Sequence, residues 1–118
     1  MQLNDLRQLI VDALEELKAV DIKILDVGEI AGFTDLMIIA SGTSTRQVKA
    51  LADKVIEQCK TAGVRPLGVE GEREAEWILV DLGDAVVHVM RPEIRDFYNL
   101  EKLWSVRERA GDSSAAGG

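Results

Sequence analysis

One cysteine and one histidine among 118 residues leave little material for metal or redox chemistry. Cys59 alone cannot close an intramolecular disulfide or build a multi-cysteine metal site. His88 has no cysteine or acidic neighbour at ligand spacing, and no nucleophile motif would make it a general base. No apolar run approaches the ~18 residues that a membrane span needs. The opening MQLNDLRQL lacks a basic stretch followed by a continuous apolar block, so no signal peptide is expected and a reducing cytoplasm fits best. Basic residues are also scarce: 14 Lys and Arg stand against 21 Asp and Glu, a net charge of −7. They are dispersed, whereas a protein that holds nucleic acid through phosphates needs a basic surface or stripe. This argues against direct DNA binding and for little direct RNA contact; a basic protein suits an acidic chain better. The plainer account of the acidity is solubility.

The length fits one domain, long enough to bury roughly two thirds of the unfolded chain's surface. Residues 1–108 read as that domain and 109–118, small and polar, as a flexible tail. From Leu3 to about Ala19 the residues Leu6, Leu9, Ile10, Ala13, Leu14 and Leu17 recur at helical spacing, with Asn4 as the expected N-cap. Asp21 to Glu29 reads as a strand, followed by a turn punctuated by Gly28 and Gly32. The run Leu36-Met37-Ile38-Ile39-Ala40 has the character of a buried central strand. Ser44 caps the next helix, with Gln47 completing a capping-box pattern and Gly63 ending it. Val48, Leu51, Ala52, Val55, Ile56 and Cys59 form its apolar stripe, which makes Cys59 a small buried residue rather than a reactive thiol. Arg65 to Val69 reads as a short edge strand, where proline is tolerated, and Glu70 to Glu76 as an exposed acidic loop.

The richest stretch is Glu76 to Trp104, EWILVDLGDAVVHVMRPEIRDFYNLEKLW. A strand with Ile78, Val80 and Leu82 on one face and Trp77, Leu79 and Asp81 on the other belongs at the centre of a sheet. Leu82-Gly83-Asp84 reverses the chain, glycine supplying the positive φ of a tight hairpin. The return strand, Ala85 to Met90, sets His88 on the face of Val86 and Met90, and Pro92 opens a helix carrying Ile94, Phe97 and Tyr98. Asn99 interrupts it and caps a second short helix from Leu100 to about Arg107, which includes Leu103 and Trp104.

This stretch, with DLMIIASGTSTRQVKALADKV at residues 35–55, resembles the ribosomal silencing factor (Iojap) family. The match runs from about Asp21 to Trp104. It implies an α/β fold: a mixed sheet of about five strands flanked by helices, similar to the nucleotidyltransferase fold. It also implies a non-enzymatic translational repressor that needs no cofactor. Such a protein binds the large ribosomal subunit through its fourteenth protein and blocks joining of the small subunit. The partner-binding residues expected from the matched segment are Trp77, Asp81, His88 and Tyr98, supported by Leu82 and Met90. Each has a plainer role, since aromatic residues with a polar handle serve cores as well as interfaces. Trp104 is better placed in the core.

A second reading is a nucleotide-binding or nucleotidyl-transferring enzyme. Ser41-Gly42-Thr43-Ser44 joins a strand to a helix N-terminus, where amides and hydroxyls can cradle a phosphate. It lacks the lysine of a P-loop. The strand that would bring paired metal-binding carboxylates reads Asp81-Leu82-Gly83-Asp84, with glycine where the second acid is needed and Asp84 in the turn. A turn with an N-cap accounts for the loop without chemistry. A third reading, compatible with the first, is a homodimer formed through the exposed hairpin.

Overall fold

The computed structural model describes residues 1–103. Two strands, β2 (Leu36–Ser41) and β5 (Ala85–Met90), are buried at all six of their positions. They lie side by side and parallel at the middle of a five-stranded sheet ordered β1-β2-β5-β4-β3. The other pairings are antiparallel: β1 (Val20–Asp26) with β2, β4 (Trp77–Asp81) with β5, and β3 (Gly68–Glu70) with β4. A continuous apolar run is what burial on two faces demands, and β2 has it. The strand expected at the centre, β4, instead lies next to the edge strand β3. Its burial alternates: Ile78 and Val80 are fully enclosed, whereas Trp77, Leu79 and Asp81 remain partly open.

That alternation follows from unequal cover on the two faces. Two long helices, α1 (Leu3–Glu16) and α3 (Thr45–Thr61), lie over one face. Their stripes of Leu6, Ile10, Leu14, Val48, Leu51 and Val55 pack on Ile38, Ala40, Ile78, Val80, Val87 and Val89. Cys59 belongs to this core, and burial raises its thiol pKa to about 11, so it is inert at neutral pH. The opposite face carries a smaller cluster of Val27, Met37, Ile39 and Met90. Among the described residues, the partly buried hydrophobics packed on it are Leu25, Trp77, Leu100, Ala31 of the short helix α2 (Gly28–Ala31) and Ile94 of the short helix α4 (Pro92–Tyr98).

Local chemistry sets the helix ends. Ser44 Oγ accepts from the Gln47 amide at 3.1 Å, the cap expected from sequence. Gln47 reaches back one residue further than a capping box requires: its Oε1 accepts from the amide and hydroxyl of Thr43 at 2.7 and 2.8 Å. At the other end Gly63, with φ +86°, donates to Lys60 O while Val64 donates to Cys59 O, a Schellman closure. Asn4 is not a cap: α1 begins at Leu3 with Gln2 before it, and no side chain caps this end. The residues after β1 are not a simple turn. They wind into α2, which ends at Gly32 with φ +74°. No helix among the described residues is long and apolar enough to cross a membrane.

Candidate partner-binding surface

The thinly covered sheet face carries the unusual residues of the sequence. Register pairs Leu79 with His88 and Trp77 with Met90 across β4 and β5, bringing the indole beside the imidazole. Trp77 Nε1 donates to His88 Nδ1 at 2.9 Å, so the neutral ring carries its proton on Nε2. Tyr98, at the end of α4, also packs against Trp77, the rings tilted by 49° with centroids 5.0 Å apart. Phe97 meets Tyr98 edge-on, also at 5.0 Å. The result is a continuous strip: His88 at its floor, Trp77 half-buried, Tyr98 55% and Phe97 80% exposed.

The residues expected to make contact therefore sit at different depths. Tyr98 is exposed, and Trp77 and Asp81 are partly so. His88 and Met90 are buried on this face beneath Trp77, Met90 with no exposed surface, whereas Leu82 is buried in the core of the opposite face. Asp81 is held at the hairpin, where its Oδ1 accepts from the Gly83 amide at 2.9 Å. Glu76, read as part of an exposed acidic loop, is partly buried and pairs with Arg91 at 3.3 Å. Glu70, Glu72 and Glu74 are exposed, Glu72 turned toward Lys49 of α3 at 3.8 Å. Asn99 interrupts α4 with a left-handed φ of 48°, and its Oδ1 accepts from the Lys102 amide as a cap for helical residues 100–103. Trp104 and the tail at 109–118 lie outside the described residues.

Desolvation lowers the His88 pKa from 6.5 to about 4, so the ring is neutral at pH 7 and can accept from Trp77. The sign follows from linkage. Between pH 6.5 and 4 the unfolded chain holds a proton here that the folded chain does not, so stability falls as pH drops through that window. The loss expected from this group is on the order of 3 kcal/mol. Urea unfolding at pH 7 and pH 4.5 should show it, and His88→Gln should flatten that part of the slope. Equal slopes in the two proteins would contradict the assignment.

The small-residue loop at residues 41–44 is occupied by its own chain. Ser41 is buried, and its Oγ accepts from Arg95 Nη1 at 2.9 Å. The Gly42 amide donates to Met90 O, and the Thr43 amide donates to Gln47. A Cβ on Gly42 would come within 2.9 Å of Val48, so the loop is pressed against α3. A phosphate entering here would have to displace bonds already made. Among the described residues, no group of three or more His, Cys, Asp or Glu is placed to hold a metal.

Two features of the site went unread in the sequence: Phe97 as an exposed ring beside Tyr98, and Arg95, a charged residue only 5% exposed. The helical spacing of Phe97 was visible. The burial of Arg95 was not, because its partner Ser41 is 54 positions away.

The chain is similar to known proteins over most of its length. Residues 1–116 match the family model described as "Ribosomal silencing factor during starvation". The chain is 47% identical over 104 residues to ribosomal silencing factor RsfS of Chromobacterium violaceum, covering 88% of this chain and 85% of that one. A mouse protein named "Mitochondrial assembly of ribosomal large subunit protein 1" is 36% identical over 102 residues, 84% of this chain and 45% of the mouse protein. A Chromobacterium violaceum crystal structure superposes with a TM-score of 0.87 at 47% identity, covering 89% of this chain and 88% of that one. With the family model spanning nearly the whole sequence and the fold shared, the chain belongs to the ribosomal silencing factor family.

Proposed function

We propose that this protein slows translation by binding the large ribosomal subunit through its fourteenth protein, where it occupies space the small subunit needs. The observation that carries this reading is the strip of Trp77, Tyr98 and Phe97 on the thinly covered sheet face of a family member. Aromatic rings with polar handles are effective anchors in protein interfaces. The exposed Glu70, in register with Leu79 on the strip's side of the sheet, favours a basic partner protein over the rRNA backbone. Trp77, Asp81 and Tyr98 supply the contact, His88 and Met90 hold it from beneath, and Leu82 braces the hairpin from the opposite core. The mechanism is steric and needs no bond made or broken. Binding only the free subunit lowers the fraction that joins by mass action.

Cosedimentation with isolated large subunits, small subunits and joined ribosomes tests the proposal. The expected result is pelleting with large subunits alone and fewer joined ribosomes on reassociation. Pelleting with none of the three would overturn it, and so would unaltered reassociation.

A further inference from the structure

The helix that displays the aromatic strip is poorly equipped to stay in place. At seven residues, α4 is too short to be stable by itself. Phe97 and Tyr98 face outward, Ile94 is only half-buried, and the single buried residue of α4 is Arg95. Its guanidinium gathers three other parts of the chain. Nη1 donates to Ser41 Oγ at 2.9 Å, at the end of β2. Nε donates to Glu101 Oε1 at 2.5 Å, beyond the Asn99 turn. Nη2 stands 3.7 Å from Asp21 Oδ2, where β1 is irregular and Asp21 takes a left-handed φ of 52°.

We propose that Arg95 is the positioning residue of the partner-binding surface: its buried guanidinium docks α4 at the end of β2 and so sets Tyr98 against Trp77. Charge neutralisation alone does not suffice. The contacts use separate nitrogens of one planar fork, a geometry that a lysine ammonium cannot reproduce. Ser41, at the place a nucleotide-binding loop would use for phosphate, serves as the socket for this arginine. The consequence for partner binding rests on the large-subunit reading above; the docking of α4 does not.

The test uses the full chain with Arg95→Met, which keeps the bulk but removes charge and donors, with Arg95→Lys, and with the milder Ser41→Ala. Amide hydrogen exchange is read alongside titrated cosedimentation with large subunits. In Arg95→Met and Arg95→Lys, residues 92–103 should exchange at least about tenfold faster while α3 and β5 keep their protection, as loss of charged hydrogen bonds implies. Ser41→Ala should give a smaller change of the same pattern. Large-subunit affinity should fall at least about tenfold with either Arg95 variant, and Tyr98→Ala should then cost less than it does in the parent chain. Unchanged exchange in α4, uniform acceleration across the chain, or full rescue by lysine would each overturn the proposal. Faster α4 exchange with unaltered affinity would overturn its link to binding. A parent chain that does not bind large subunits would overturn the functional reading, while exchange would still decide the docking role.

Discussion

Trp77→Ala is expected to weaken association with large subunits by about 30-fold or more, the loss typical of an aromatic hot spot. The indole contributes in two ways. It forms part of the strip, stacked against Tyr98, and it donates to His88 at the floor. Removing it takes away the exposed ring face and leaves His88 Nδ1 without its partner in a nearly water-free position. The second effect costs about 1–3 kcal/mol of folding stability. Trp77→Phe separates the two, because it keeps a ring for Tyr98 but still strands His88. Cosedimentation titration and urea unfolding of both variants read binding and stability apart. A folded Trp77→Ala protein that binds as well as its parent would remove Trp77 from the interface.

Gly71→Ala should cost on the order of 3–5 kcal/mol, a magnitude reserved for backbone conflicts that side-chain motion cannot relieve. Gly71 has φ +87°, and a Cβ there would stand 2.0 Å from the carbonyl oxygen of Trp77. The obstacle is main chain in β4, so the β3–β4 connection would have to open. Its carbonyl also accepts from the Ala75 amide, which closes the loop from within. Gly83 makes a useful contrast: with φ +85° it has only a Leu67 methyl at 3.5 Å, so the same change there costs conformational strain alone. Thermal unfolding would show the difference, and an unshifted midpoint for Gly71→Ala would refute the clash. Because the conflict falls on Trp77 itself, a surviving Gly71→Ala protein should also bind large subunits poorly.

The parts of the fold legible in the sequence are those whose cause is local. Ser44 and Gly63 bracket α3 because a cap and a left-handed stop depend on residues within one turn. The apolar run of β2 announces burial on two faces without reference to its neighbours. Where a position depends on what topology brings near, the sequence is silent. The rank of β4 in the sheet is not legible, because apolar residues on both faces do not reveal which strand lies beside the edge. Asn4 has the chemistry of a cap, yet α1 starts one residue earlier. The candidate site divides in the same way. Trp77 and Tyr98 stand out as scarce residue types, while the depth of His88 and the burial of Arg95 come from residues distant along the chain.

The parallel pairing of β2 with β5 also governs the order in which this chain can be completed. Every other strand pair joins neighbours in sequence, whereas Leu36 must wait for Ala85. During synthesis the first half of the molecule has an unpaired edge on its most apolar strand until the last strand of the sheet emerges. Long-range parallel closure of this kind is slow, and an open apolar edge invites association with other chains. The β3–β4–β5 meander, built from local turns, is the natural unit to arrive preassembled and close the sheet in one step. Closure of the sheet centre therefore waits until the chain is present through Met90.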